Sequence, residues 1–167
     1  MGYEQGFTAA AYYRLFFIYI EPISALVGSY YAAGEPSYYL SLLSAKGVYK
    51  HLHLLEVPTL ISLYQLSNLY MLFAFNEHFV LSSTSSLRTW RALLFCLLIA
   101  DFGHLATMIP LAAEKGWAEV FVNFWEWNAM EWGGVGFVYA GALSRILFLL
   151  GLGVQPERET ETGIKEE

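Results

Sequence analysis

Four apolar segments, each long enough to cross a lipid bilayer as a helix, dominate this chain of 167 residues. A transmembrane helix needs about 20 mostly apolar residues to span about 30 Å of hydrocarbon. Isolated polar and charged residues interrupt the four segments, which cover residues 11–33, 58–81, 90–112 and 131–154. We therefore predict an all-α integral membrane bundle of four transmembrane helices that forms one domain over residues 1–154.

The composition agrees with membrane surroundings. Apolar residues make up 56% of the chain and charged residues only 14%, whereas about a quarter is usual in soluble domains. The charged groups are too few to cover a soluble globule, so membrane lipid is the expected neighbour of the apolar surface. With only nine Lys and Arg residues and no basic stripe, nucleic-acid binding is disfavoured.

The parts of the chain outside and between the segments differ in character. Residues 34–57 carry Leu and Tyr at helical spacing beside lysines and histidines, which predicts an amphipathic helix at the membrane surface. Residues 155–167 are rich in Glu and Thr, and we predict a disordered acidic tail. Cys96, the single cysteine, lies inside an apolar run and is predicted to be a buried thiol.

Four crossings would place both termini on one side of the membrane. Basic residues near the segments are slightly more numerous on that side: Arg88, Arg91, Arg158 and Lys165, against Lys46, Lys50 and Lys115. Because basic residues concentrate on the cytoplasmic side of membrane proteins, we expect both termini in the cytoplasm.

Polar residues inside the segments are the candidate functional groups. At 1.5 Å of rise per residue, Glu21, Asn68 and Asp101 fall near the midplane, and Arg145 and His104 lie about 4 Å to either side. Ionisable groups at such depth face the bundle interior, where they pair or act in function. We predict that each helix turns one polar or small-residue face inward and that these side chains meet.

A second polar tier is predicted near the terminal-side boundary, where Arg14, Asn76 and Glu77 reach a common depth. Arg14 and Glu21 are seven residues apart and are thus expected on one stripe of the first helix. The second helix is predicted to turn inward a mostly polar stripe of Gln65, Asn68, Leu72 and Asn76. On the fourth helix, one stripe is predicted to consist of Gly134, Val138, Gly141 and Arg145, and its glycines allow close approach of a neighbouring helix.

The charges do not balance: three carboxylates face two guanidiniums, namely Glu21, Glu77 and Asp101 against Arg14 and Arg145. A carboxyl without a cationic partner in a dry interior is expected to hold a proton. Beside His104, such an acid would form a proton donor and acceptor pair. The competing interpretation is structural, with Arg14 on Glu77, or Arg145 on Asp101, as ion pairs that fix packing.

Tryptophans cluster ahead of the fourth segment, where interfacial anchoring is the simpler interpretation. The alternative is that their π faces stabilise a cationic substrate. The predicted substrate-binding set is Asn68, Asn76, Glu77, Trp125, Trp127 and Trp132. No cofactor is predicted, because the GGVG stretch lacks the context of a phosphate loop. Asp101 and His104 alone do not make a metal site.

Four stretches carry a resemblance to a known family: YRLFFIYIEPISALVGSYYA (13–32), QLSNLYMLFAFNEHFVL (65–81), LRTWRALLFCLLIADFGH (87–104) and FWEWNAMEWGGVGFVYAGALSRILFLLG (124–151). The sequence resembles a fungal family of small four-helix integral membrane proteins known as a domain of unknown function. The resemblance covers nearly everything except the first residues, the surface segment and the tail. It implies the fold but no mechanism.

A looser likeness, in architecture and chemistry rather than in motifs, is to sterol isomerases of the emopamil-binding type and to fungal membrane-bound terpene cyclases. Both use buried acids to protonate an alkene or epoxide. Our first hypothesis is an isomerase or cyclase for a hydrophobic prenyl, terpenoid or sterol-like substrate. Asp101 or Glu21 would donate the proton, His104 would reload the donor, and Arg145 would set which carboxyl is ionised.

Two other functions stay open. The first is a non-catalytic membrane protein of the endoplasmic reticulum, our expected location, that binds lipid or a partner membrane protein. The second is a transporter or channel, which four helices would form only as a homo-oligomer. A cavity open to lipid and shared by the charged residues would favour the enzyme, whereas an interlocked cluster without a void would favour the scaffold.

Overall fold

The computed structural model describes residues 7–45 and 55–156. The strands in these ranges are β1 (Phe7–Ala9) and β2 (Val154–Pro156). The helices are α1 (Ala11–Gly34), α2 (Pro36–Leu43), α3 (Val57–Ser83), α4 (Leu87–Thr107), α5 (Ile109–Lys115), α6 (Trp117–Phe121) and α7 (Ala129–Leu149). A short 3-10 turn, Phe124–Glu126, precedes α7.

Within residues 7–45 and 55–156, three helical stretches are long and apolar enough to cross a membrane: α1, α4 continued by α5, and α7. Their length and composition fit an integral membrane protein, as predicted. Helix α3 is the longest single helix described, at 27 residues, but it is less apolar and is not one of the three. Polar side chains recur along it, so the predicted count of four spans is not confirmed.

Prolines and hydroxyls mark where the helices begin. Pro58 lies in the first turn of α3. Backbone N–H groups in a first turn have no acceptor within the helix, so the missing N–H of proline costs no hydrogen bond there. The Ser86 hydroxyl accepts a hydrogen bond from the Thr89 N–H at 3.3 Å and caps α4. Pro110 lies at the start of α5, so the predicted third segment, 90–112, consists of two successive helices.

Helices α1 and α7 each contain one π-helical turn, at Phe16–Ile20 and at Trp132–Gly136. In the first, the Glu21 N–H donates to the Phe16 carbonyl, five residues back. A π turn is wider than an α turn and interrupts the 3.6-residue register. The prediction that Arg14 and Glu21 share a stripe is therefore wrong, since Arg14 is exposed and Glu21 is packed inside.

The two strands pair antiparallel, with Phe7 opposite Pro156 and Ala9 opposite Val154. This ladder adds a β element to the predicted all-α class. It also includes Gln155 and Pro156, which were predicted to begin the disordered tail; the rest of that tail lies outside the described residues. The pairing joins both ends of the described chain at one end of the bundle, called the terminal end below.

The core of the terminal end is mostly aromatic. It includes Phe7, Tyr13, Phe16, Phe17, Trp90, Leu94 and Phe148. Phe148 is fully buried, and the rings of Phe7 and Tyr13 meet it edge to face at 5.9 and 5.3 Å. Edge-to-face packing suits the charge distribution of aromatic rings. This core holds β1 against α4 and α7.

Helix α2 lies at the opposite end and is the described part of the predicted surface segment. Its Tyr39 is buried against Ala32 and Leu63, and the Tyr39 and Tyr70 hydroxyls are 3.3 Å apart. Burial, followed by the neighbouring Tyr70, raises the pKa of Tyr39, so its hydroxyl stays protonated. The predicted surface cations and histidines lie outside the described residues: Lys46, Lys50, His51 and His53.

The outer surface is rich in large apolar side chains, such as Ile23, Phe95, Ile99 and Leu143, each more than half exposed. An apolar exterior of this kind is expected of a protein that faces lipid. Cys96, predicted to be buried, is exposed on α4. The inward stripe of that helix is formed by its bulkier residues, Trp90, Leu94 and Leu97.

Candidate functional site

One guanidinium, that of Arg145 on α7, meets three carboxylates from three other helices. Its Nη2 lies 2.5 Å from Glu21 Oε1 on α1 and 3.3 Å from Glu77 Oε1 on α3. Its Nη1 lies 2.8 Å from Asp101 Oδ2 on α4. We call these four side chains the carboxylate cluster. Because its members come from all four long helices, the cluster joins the whole bundle.

The cluster is buried and its charges are unequal. Arg145 is 1% exposed and Glu77 3% exposed, while the side chains of Glu21 and Asp101 are 16% and 12% exposed. With all three acids ionised, one guanidinium leaves a formal charge of −2. Uncompensated charge is costly in a low-dielectric interior. Two protons, or other positive charges, are needed to balance the cluster.

The sequence count of one surplus carboxyl is wrong because Arg14 does not join the cluster. Arg14 lies near the terminal end, in a small pocket with Thr84, Ser85 and Trp90. It makes no ion pair within the described ranges. The predicted pairing of Arg14 with Glu77 is thus not observed, and the surplus over Arg145 is two.

Glu77 was predicted in a separate tier, yet it meets the acids that were predicted near the midplane. The depth of each residue in the membrane was predicted by taking the centre of its segment as the midplane. That prediction is correct only if the centres of all four segments lie at the same level. Glu77 is about 10 Å from the middle of α3 along its axis. Its contact with Arg145 shows that α3 is displaced along the bundle relative to that assumption.

A glycine makes room for the guanidinium. A Cβ on Gly141 would lie 2.7 Å from Arg145 Nη1 and 3.4 Å from Glu21 Oε1. The ring of Phe17 covers the guanidinium at 5.5 Å, within the range of a cation–π contact. Of the stripe predicted on the fourth helix, Gly141 and Arg145 are buried, whereas Gly134 and Val138 are half-buried. Phe17 was not predicted, because nothing in an apolar run singles out one ring.

The predicted polar stripe of α3 faces the wrong way. Gln65, Asn68 and Asn76 are all exposed, whereas the buried face of α3 carries Leu63, Ser67, Ala74, Glu77 and Leu81. Ser67 and Ser29 of α1 bond each other, with hydroxyl oxygens 2.8 Å apart. Small residues let two helices approach closely. That packing, and not amide polarity, selects the inward face.

His104 lies one turn after Asp101 on α4 and is half-buried. Its Nε2 has no hydrogen-bond partner within the described ranges, and a Cβ on Gly134 would lie 3.5 Å from it. The structure thus places the ring beside the π turn of α7. A role for His104 in proton transfer stays a prediction.

The predicted tryptophans lie away from the carboxylate cluster. Trp132 precedes Arg145 by 13 residues, about 20 Å along the helix axis. Trp127 meets Trp132 edge to face at 5.3 Å, and its indole N–H donates to the Glu119 carbonyl at 3.0 Å. Trp125 is 67% exposed. This placement agrees better with interfacial anchoring than with a cation at the cluster.

An apolar cleft of about 230 Å³ opens between α1 and α3. It is lined by Ile18, Tyr19, Pro22, Ile23, Leu26, Ala74, Phe75, His78 and Phe79. Two of these residues, Pro22 and His78, directly follow Glu21 and Glu77 in the chain, but no member of the carboxylate cluster lines the cleft. His78 Nδ1 is 2.7 Å from the Ile18 carbonyl in the π turn. His78 was not predicted as a site residue; only its position next to Glu77 hinted at it.

A separate ion pair lies toward the opposite end, between Lys115 and Glu131. Glu131 is fully buried and forms a capping box with Asn128, whose amide also donates to the Leu42 carbonyl at 3.1 Å. This network connects α2, α5 and α7 and is structural. Among residues 7–45 and 55–156, no three His, Cys, Asp or Glu side chains are arranged to hold a metal ion.

Comparisons with known proteins agree with the family resemblance. Neither the curated proteins nor the solved structures contain a match. A family model matches residues 8–155, which include the four long helices and every member of the carboxylate cluster. By this match over most of its length, the chain belongs to the family described as Domain of unknown function (DUF7704).

Proposed function

We propose that this protein is a membrane-embedded acid–base catalyst that isomerises or cyclises a hydrophobic substrate of the prenyl, terpenoid or sterol-like class. The observation that carries the proposal is the carboxylate cluster, with two acids in excess, two of whose acids directly precede the residues Pro22 and His78 of an apolar cleft. The looser likeness to sterol isomerases and terpene cyclases suggests the same chemistry. A fungal origin stays a prediction from the family resemblance.

In this proposal α3 is the fourth crossing. Strands β1 and β2 pair at one end of the bundle, which supports an even number of crossings by the chain between them. Three crossings would separate the strands. Near its start α3 packs on α2 through Leu63, and near its end Leu81 joins the core around Phe7. The helix therefore runs the length of the bundle.

The terminal end is proposed to face the cytoplasm. Arg14, Arg88 and Arg91 lie at or near it, and residues 7–15, 82–91 and 150–156 include no Asp or Glu. Lys115 is the one basic residue in the described parts of the opposite end. Basic residues favour the cytoplasmic side. The endoplasmic reticulum stays our prediction for the location.

The cluster supplies protons in this mechanism. Glu21 is the preferred donor, because it directly precedes the cleft residue Pro22 and its Oε2, which makes no hydrogen bond within the described residues, is free to carry the proton. Its O–H proton would pass to an alkene carbon or an epoxide oxygen of the substrate. The resulting carbocation would rearrange and lose a proton from carbon to a carboxylate or to His78, so that substrate and product are isomers.

Asp101 is the second candidate donor, and Arg145 would keep one carboxyl of the cluster ionised as an electrostatic partner for the developing cation. The aromatic rings of Tyr19, Phe75 and Phe79 line the cleft, where their π faces suit a carbocation. In this proposal these three rings stabilise the cationic substrate, a role that the sequence analysis assigned to the tryptophans.

The test uses the full chain in lipid nanodiscs in D₂O, with a prenyl epoxide and an unsaturated sterol as probes. The epoxide should yield an isomer of unchanged mass after work-up in H₂O, and the sterol an isomer that carries one deuterium on carbon. Glu21→Gln is expected to lower the rate by about 100-fold or more, the usual contribution of a general acid. Glu114→Gln, at an exposed acid on α5, is the matched control and should leave the rate unchanged.

A non-catalytic scaffold is the second candidate, and it is favoured by the criterion set from the sequence: the Arg145 guanidinium is buried and bonded to three carboxylates at once, and none of the four side chains lines the cleft. In that case the cluster fixes helix packing and the cleft holds a lipid. Absence of product from both probes, together with a large loss of thermal stability in Glu21→Gln, would contradict catalysis and favour the scaffold.

A further inference from the structure

We propose that the protein forms a parallel two-fold dimer through the outer face of α3. This face, called the outer seam, consists of Ile61, Gln65, Asn68, Leu72 and Asn76. The proposal goes beyond catalysis and requires only the proposed crossing by α3. It names a second copy of this chain as the occupant of the seam.

The members of the outer seam all point away from the bundle. Ile61 and Leu72 are 50% and 52% exposed, and the three amide residues are exposed as well. Their spacing, in steps of four, three, four and four residues, keeps them on one helical stripe. The structure gives no amide of the seam a hydrogen-bond partner in the part of the chain that it describes.

Most of the seam lies at membrane depth if α3 crosses. Glu77 is level with Glu21 and Asp101, which were predicted near the midplane, and at 1.5 Å of rise per residue Asn76, Leu72 and Asn68 lie about 2, 8 and 14 Å from it. These three residues fall within the roughly 30 Å of hydrocarbon, and Gln65, about 18 Å away, lies at its boundary. Polar groups at this depth normally face protein and bond to it. The inward face of α3 is already occupied by the contact of Ser67 with Ser29 and of Glu77 with Arg145.

A second copy fits the seam because carboxamides are self-complementary. Each Asn or Gln side chain both donates and accepts hydrogen bonds. A two-fold axis along the membrane normal brings each seam residue to the same depth as its counterpart, so Gln65, Asn68 and Asn76 each meet their own kind. The alternation of amides with Ile61 and Leu72 resembles a helix-pairing seam in which polar positions set the register.

Cysteine cross-linking in native membranes tests the dimer. Cys96→Ala removes the single thiol, and Leu72→Cys then places one on the seam. Oxidation with copper phenanthroline should convert most of this variant to a covalent dimer. Leu143→Cys, on the exposed face of α7 and 58% exposed, is the matched control and should stay monomeric. Monomeric Leu72→Cys, or its cross-linking to a protein of different mass, overturns the proposal.

A water-soluble maleimide separates this proposal from the crossing on which it depends. Leu72→Cys that is neither labelled nor cross-linked contradicts the dimer alone, whereas ready labelling would contradict the position of α3 in the membrane. The triple variant Gln65→Leu, Asn68→Leu, Asn76→Leu should also weaken dimerisation in detergent by at least tenfold, as measured by native mass spectrometry. An unchanged dimer would overturn the role of the amides.

Discussion

Arg145 Nη2 lies 2.5 Å from Glu21 Oε1, although 124 residues separate the two in the chain. This contact joins α1 and α7, the first and last long helices of the bundle. The contacts of Arg145 with Glu77 and Asp101 join α3 and α4 to them. The cluster therefore depends on all four long helices being in place. Changes at its members are expected to report on assembly as well as on chemistry.

Replacement of the guanidinium should be among the most damaging changes. Arg145→Gln leaves one buried and two largely buried acids without their cation, and loss of one partner of a buried ion pair typically costs about 3–5 kcal/mol. Glu77→Gln removes only the longest contact and lowers the surplus of acids, so it should cost less than half as much. Thermal unfolding in a mild detergent measures both, with Arg88→Gln as an exposed control. Equal losses of stability in Arg145→Gln and Glu77→Gln would contradict the inference that the cluster holds more carboxyl groups than Arg145 can pair.

Gly141 is expected to tolerate no side chain. Gly141→Ala would place a Cβ 2.7 Å from Arg145 Nη1, and the guanidinium cannot retreat without lengthening its contacts to the carboxylates. Overpacking of this kind costs about 1–3 kcal/mol. Gly103→Ala on α4 is the control, because a Cβ there meets nothing within 4 Å. It should be neutral or slightly stabilising, since alanine favours a helix. The midpoints of thermal unfolding in detergent compare the two variants.

Substitution by leucine should lower the stability of the bundle on the inward face of α3 but not on its outward face. Ser67→Leu forces α1 and α3 apart and should destabilise the bundle by about 1–3 kcal/mol. Asn68→Leu, one residue on, replaces an exposed amide and should leave the stability of the monomer nearly unchanged. Chemical unfolding of monomer fractions in detergent compares them. A greater loss for Asn68→Leu would mean that the predicted polar stripe faces inward after all.

Filling the apolar cleft should impair turnover of the sterol and epoxide probes without affecting folding. Ile23 lines the cleft and is 60% exposed, so Ile23→Trp adds volume where a substrate would lie. We expect a rate at least tenfold lower and an unchanged unfolding midpoint. Ile99→Trp, at a similarly exposed position on α4, is the control. Normal turnover by Ile23→Trp would show that the substrate does not bind in the apolar cleft.

Hydrophobic pattern predicted the helical, membrane-type architecture and most helix positions, because about 20 apolar residues in a row admit few other structures. It also marked Glu21, Asp101 and Arg145, since an isolated charge in such a run needs a partner. The wrong predictions concern which face of a helix points inward and how far each helix is displaced along the bundle. A π turn separates Arg14 from Glu21, and close packing at Ser67 turns the amides of α3 outward.

The sequence by itself therefore determined which segments are apolar and which of their residues carry charge, both of which are properties of single residues and of short spacings. Only the tertiary structure decided that one arginine serves three acids, that α3 turns its amides away from the bundle and that the chain ends meet in β1 and β2. The physical reason is that helix rotation and displacement follow from side-chain packing between elements distant in the chain, and no local pattern records them.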